Sequence, residues 1–299
     1  MKSFIATICI IIAVSFSHAQ QTVQVVWPFS PSSSNAAMIH NLIESANSQQ
    51  SKYQFVFVNK PGAGGSIAAN TVSESKNLTV LISTTSFYVR PMLFQEAHNF
   101  EQFSLINEFC TNQPLGVFST RIKKITSESN QSTIGIIPGS ITNLVSKAIV
   151  DNNPHLKLIE VGYKGTPEAT TDMLGGHVDT SVDFTGPSVT QRFTGNVNVL
   201  GITGTKDRKG MKTFQSQGIK GLDQLTHGHY VFVRSNVESA IKSELSSIIN
   251  AAYNNHAKIT EICEQDGGTL DTVSFNKLEQ LNQDNIRKWA TITKGIAKQ

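Results

Sequence analysis

One repeated unit constrains this chain more than any other feature: a short β-branched run, a loop rich in Gly, Pro, Ser and Thr, then a stretch of helical periodicity. Parallel strands need a crossover, usually a helix, so such alternation predicts an α/β fold with mostly parallel sheets and helices on their faces. The first unit runs from Val23 to Trp27, through a loop from Pro28 to Asn35, into a helix with Ile39, Leu42, Ile43 and Ala46 on one face. Ser34 or Asn35 is its expected N-cap. Further strands are expected over Tyr53 to Val58 and Leu78 to Ser83, the latter leaving through Thr84, Thr85 and Ser86.

A second series of units makes a second sheet. Its strands are expected over Thr133 to Ile137, Leu156 to Val161, Val178 to Val182 and Val197 to Ile202. Gly139 and Ser140 open a helix bearing Leu144, Val145, Ala148 and Ile149, and Thr166 followed by Pro167 starts another. After an apolar strand from Tyr230 to Val233 the chain turns mainly helical, and its last helix carries Phe275, Leu278, Leu281, Ile286, Trp289 and Ile292.

With 299 residues, 39% of them hydrophobic and 16% charged, the chain can build two modest cores. A formal net charge of +3 lacks the basic excess of a nucleic-acid binder, so nucleic acid is excluded as a partner. Lys2 precedes an apolar run from Ile5 to Val14, too short for a membrane span, and Ser17-His18-Ala19 supplies small residues at a cleavage site. Residues 1–19 therefore read as a signal peptide cut after Ala19, which sends the mature chain to the periplasm. No cysteine follows the cut, which argues against a lipid anchor. Cys110 and Cys263 remain in a compartment that permits disulfides; both a bridge and two buried thiols stay open, the bridge being the less favoured.

Two segments identify a resemblance. Asn59-Lys60-Pro61-Gly62-Ala63-Gly64-Gly65 follows a strand, and Tyr163-Lys164-Gly165 runs through Asp172, Leu174, Gly175 and Gly176 to Val178-Asp179. Together they resemble the substrate-binding proteins of tripartite tricarboxylate transporters, the Bug family, and the likeness extends over the whole mature chain. Pro28-Phe29, Pro31, Pro91, Gly139 to Leu144, Asp183 and Gln265 to Gly267 belong to it. Departures are Ser32-Ser33 and Ala36 where the family commonly has Gly-Gly and Asp, Arg90 for its Asn, and Asn143 for its His.

The resemblance implies a two-lobed periplasmic binding protein of type II, a Venus flytrap, with ligand between the lobes. Lobe 1 is expected over 20–116 with 229–299 and lobe 2 over 117–228, crossing near Leu115 to Phe118 and near Gly228 to Phe232. It also implies a small organic anion as ligand, a di- or tricarboxylate or related carboxylate, handed by a monomeric receptor to integral-membrane transporter subunits. An orphan sensory module and a secreted enzyme on the same fold are the rival functions.

Ligands of open α/β sheets bind at the carboxyl ends of the strands, where helix N-termini offer unpaired N–H groups and a positive dipole end. That arrangement holds a carboxylate without arginine. The candidate contacts are Phe29, Ser32, Ser33, Ser34, Gly64, Thr84, Thr85 and Ser86 from lobe 1, with Gly139, Ser140, Thr142, Asn143 and Asp183 from lobe 2. Each also has a plain reading as a cap, a turn residue or core. The Gly62 to Gly65 turn fits a dinucleotide fingerprint poorly, since its third glycine position falls on Ile67. His227-Gly228-His229 lacks a third ligand and reads as polar surface, not metal. No nucleophile and base stand in an activating pattern, so neither catalysis nor a cofactor is expected.

Overall fold

The computed structural model describes residues 20–94, 97–125, 131–153, 157–186, 190, 193 and 197–296, with Ser34 described by its backbone alone. The expected signal peptide and its cut after Ala19 lie outside the described residues, as does Leu156.

Two five-stranded sheets form the frame. In the first, β1 (Gln21–Trp27) lies between β2 (Tyr53–Asn59) and β3 (Thr79–Thr84), parallel to both. The edge strand β4 (Phe103–Gln113) follows after a gap filled much later in the chain by β10 (His227–Arg234), which runs antiparallel to β3 and β4. In the second sheet β5 (Leu115–Ser119) plays that reversed part. It pairs antiparallel with β8 (Thr180–Phe184) and β9 (Asn198–Ile202), while β6 (Ser132–Ile136) joins β7 (Leu158–Gly162) and β8 in parallel. Both sheets are thus mixed, four strands sharing a direction and one running against them.

The helices α1 (Ser34–Gln49), α6 (Ser239–Asn254) and α7 (Ala257–Asp266) cover one face of the first sheet; α2 (Ser66–Glu74), α3 (Ser86–Leu93) and α8 (Leu278–Ile296) cover the other. Trp289, 1% exposed, anchors the last helix in its core. On the second sheet lie α4 (Ile141–Asn152) and α5 (Thr166–Leu174).

Several boundaries differ from the sequence reading. The N-cap of α1 is Ser33, whose Oγ accepts the Ala36 N–H at 3.1 Å. The N-cap of α5 is Gly165, with Thr166 inside the helix. The longest strand, β4, was not foreseen at all, because Asn107, Glu108 and Asn112 break its apolar alternation. The chain passes between sheets at the buried Pro114, so Leu115 to Phe118 is already a strand of the second sheet. On the return, Gly228 to Phe232 belongs to β10 of the first sheet. Cys110 and Cys263 are bridged, with Cα atoms 5.5 Å apart, against the sequence preference for free thiols. The bridge ties β4 to α7 across a separation of 153 residues.

Candidate functional site

The carboxyl ends of four parallel strands meet across the gap between the sheets. Trp27 ends β1, Thr84 ends β3, Ile137 follows β6, and Phe184 ends β8; all four line one cavity. Helices enter at the same place. Ser33 and Asn35 come from the start of α1, Ser86 from α3, Ser140, Ile141 and Thr142 from α4, and Gly165 and Thr166 from α5. Phe29, Leu115 and His227 complete the lining. No lysine, arginine, aspartate or glutamate is among these residues.

The cavity volume is only about 30 Å³, room for about two water molecules. The two halves are closed onto each other. The Ile141 N–H donates to Ser86 Oγ at 3.4 Å across the gap, and Arg90 Nη1 donates to the Pro138 carbonyl at 3.3 Å. A Cβ on Gly165 would stand 2.4 Å from that of Ser30, so glycine there permits the approach.

The serine and threonine hydroxyls are largely engaged by the protein's own backbone. Ser33 Oγ donates to the Ser30 carbonyl at 2.9 Å in addition to capping α1. Ser140 Oγ accepts the Thr142 N–H at 3.1 Å, and Thr142 Oγ1 accepts the Ile137 N–H at 2.8 Å. Thr84 Oγ1 accepts from the Ser86 N–H at 3.3 Å. These side chains shape the loops, and the first-turn N–H groups of Ala36, Ser86, Ile141 and Thr142 are their partners. The start of α5, where Gly165 and Thr166 line the cavity, has no side-chain cap.

Two polar side chains stand apart. Asn35 is 4% exposed and its Oδ1 has no partner in the protein. His227 is 5% exposed, and neither of its ring nitrogens is partnered. Its ring meets Phe184 edge-on at 4.7 Å and His229 at 4.9 Å. Burial, with His229 adding to it, holds the His227 pKa well below its usual value, so the ring is neutral. His229 lies stacked on Phe109 at 5.2 Å and is held to a pKa of about 4 by burial. The expectation that this pair is polar surface is therefore corrected. β10 is interior to its sheet, and both faces of such a strand are covered.

Of the foreseen contacts, Phe29, Ser33, Thr84, Ser86, Ser140 and Thr142 line the cavity. Ser34 opens α1 with its backbone. The others do not line it. Ser32 is exposed and bonds Ser30. Thr85 Oγ1 accepts the Gly228 N–H at 3.0 Å, tying β3 to the start of β10. Gly64 and Gly139, both at positive φ, form the rim where the halves touch. Asn143 spends its amide on the Gly139 N–H and on Glu160, at 3.2 and 2.8 Å. Asp183 is fully buried and accepts from Thr170 Oγ1 and the Phe184 N–H, both at 2.8 Å, pinning α5 to β8.

Trp27, Asn35, Leu115, Ile137, Ile141, Gly165, Thr166, Phe184 and His227 were not foreseen as contacts. A signal existed for Gly165 and Thr166, which start a helix after a strand. None existed for His227, which reaches the site only because β10 is inserted beside β3. Other residues of the long motif are structural: Tyr163 Oη donates to Asp172 at 2.7 Å, and Asp179 accepts from Thr133 N–H and Oγ1, both at 2.9 Å. Among the described residues no three His, Cys, Asp or Glu side chains are grouped to hold a metal, and no helix is long and apolar enough to cross a membrane.

Two mixed α/β lobes closing on a cavity fed by helix N-termini define a two-lobed solute-binding protein. Solved structures agree on the fold. The periplasmic binding protein BugD superposes with a TM-score of 0.82 at 20% identity, covering 94% of this chain and 99% of its own. Rpa4515 of R. palustris, solved with adipate, gives 0.80 at 16% identity over 93% and 97%; MatC of Rhodopseudomonas palustris, with bound malate, gives 0.77 at 17% over 91% and 99%. No curated protein matches the chain. The family model described as tripartite tricarboxylate transporter family receptor matches residues 41–297, and the chain belongs to that family of solute receptors.

Proposed function

We propose that this chain captures a small carboxylate between its lobes, outside the cytoplasmic membrane, and hands it unchanged to the membrane subunits of a tripartite tricarboxylate-type transporter. The observation that carries this reading is the cavity itself. The starts of α1, α3, α4 and α5 converge on it, and no charged side chain lines it. Convergent helix starts and dipole ends favour an anion, and a lining whose one titratable side chain is the buried, neutral His227 favours capture over chemistry. Malate and adipate in two similar structures support the same ligand class.

In this reading lobe 1 comprises residues 20–113 with 227–296, lobe 2 comprises 115–225, and the crossings fall at Pro114 and at Thr226. Residues 1–19 act as the export signal, cut after Ala19, and the mature receptor works as a monomer. The test is a thermal-shift screen of mono-, di- and tricarboxylates, amino acids and neutral sugars, with native mass spectrometry of protein taken from its host compartment. Stabilisation by carboxylates is expected; stabilisation by a sugar or another neutral solute alone overturns the reading.

A further inference from the structure

Helix N-termini satisfy a carboxylate, but they leave the rest of the cavity unexplained. Its other walls are Trp27, Phe29, Leu115, Ile137 and Phe184, and the polar groups still lacking partners are Asn35 Oδ1 and the two ring nitrogens of His227. A neutral imidazole offers one donor and one acceptor, and an amide oxygen accepts only. The unmet demand therefore includes two acceptors. A second carboxylate, ionised, is also an acceptor and would set like against like in an apolar, water-poor space. An ammonium group would donate, but no acidic side chain lines the cavity to balance its charge. A hydroxyl donates and accepts, and it is neutral.

We infer that His227 and Asn35 are specificity-determining ligand contacts, and that the ligand is a hydroxy-monocarboxylate with an apolar body. This rests on the carboxylate-receptor reading and narrows it away from the di- and tricarboxylates expected from the family resemblance. With the lobes parted far enough to enlarge the cavity beyond its volume of about 30 Å³, the carboxylate sits at the helix starts and the apolar body lies against Phe29 and Phe184. The hydroxyl donates to Asn35 Oδ1 or to the bare nitrogen of His227 and accepts from the protonated one. Asn35 is delivered by α1 and His227 by β10, so both contacts come from the lobe of the first sheet.

The test is calorimetric titration of the mature chain at neutral pH. Lactate, 2-hydroxyisovalerate and phenyllactate are set against their deoxy partners propionate, isovalerate and phenylpropionate, with malate, adipate and valine alongside. At least one hydroxy acid is expected to bind about tenfold or more tighter than its deoxy partner and than malate, adipate or valine. In His227→Phe the preference over the deoxy partner should shrink to about threefold or less, and His227→Gln should restore part of it. The inference is overturned if malate or adipate binds as tightly as the best hydroxy acid, or if His227→Phe keeps the full preference. Should no carboxylate of any kind bind, the receptor reading falls with it. The ligand series on the unaltered protein stands even if a variant fails to fold.

Discussion

Gly64 lies directly under the Pro138 carbonyl: a Cβ at residue 64 would come within 2.6 Å of that oxygen. Gly64 precedes α2 on the first sheet and Pro138 follows β6 of the second, so the contact joins the two halves. Gly64→Ala wedges the rim, and φ of +58° adds backbone strain of about 1–2 kcal/mol. We expect affinity for the tightest carboxylate to fall about tenfold or more, about 1.4 kcal/mol, with small-angle scattering showing a radius of gyration that no longer contracts on ligand addition. Normal contraction with full affinity in Gly64→Ala would show that the rim tolerates the methyl group.

Ser33→Ala removes an N-cap whose oxygen both accepts from Ala36 and donates to Ser30. The expected cost is about 1 kcal/mol, a melting temperature lower by about 2–4 °C, with ligand preference retained. A changed preference order among carboxylates would return the Ser33 hydroxyl to direct contact. Asn143→Ala should behave alike, since its amide holds the Gly139 loop and Glu160 and stands off the cavity.

Acid should destabilise the fold well before ordinary carboxylates titrate. His98 and His229 are held at about 4 by burial and His227 lies well below the ordinary 6.5, so each is neutral in the fold and takes up a proton on unfolding. Their contribution is present above pH 6.5 and is lost as pH falls toward 4. Glu108, raised by burial from 4.5 to about 7, works oppositely: its contribution is present below 4.5 and is lost as pH rises to about 7. Three protons against one leave about two taken up on unfolding, each worth about 1.4 kcal/mol per pH unit. Scanning calorimetry should show the melting temperature falling from pH 6.5 to 4.5; a rise over that range contradicts the assignment.

Reducing the Cys110–Cys263 bridge frees β4 from α7 and releases a long loop in the unfolded chain. A loss of about 2–4 kcal/mol is expected, read as a lower denaturant midpoint with reductant and in Cys263→Ser. Equal midpoints in oxidised and reduced protein would leave the bridge without a stabilising role.

What the sequence determined follows from local rules. Periodicity marked α1, α4 and the last helix, β-branched runs marked the parallel strands, and the strand exits at Phe29, Thr84 and Ser140 were placed on one crevice because βαβ units aim them there. Glycine and proline punctuation was likewise legible at Gly64, Gly139 and Thr166-Pro167. What the tertiary structure alone decided depends on partners far away in the chain. A serine that caps a helix and one that faces a ligand look the same in sequence, and only the bonds of Ser33, Asn143 and Asp183 show them already spent on the protein. Conversely, His227 reads as surface beside Gly228, yet insertion of β10 between β3 and β4 buries it. Whether Cys110 meets Cys263 turned on the same long-range placement, for a separation of 153 residues carries no local signal of a Cα distance of 5.5 Å.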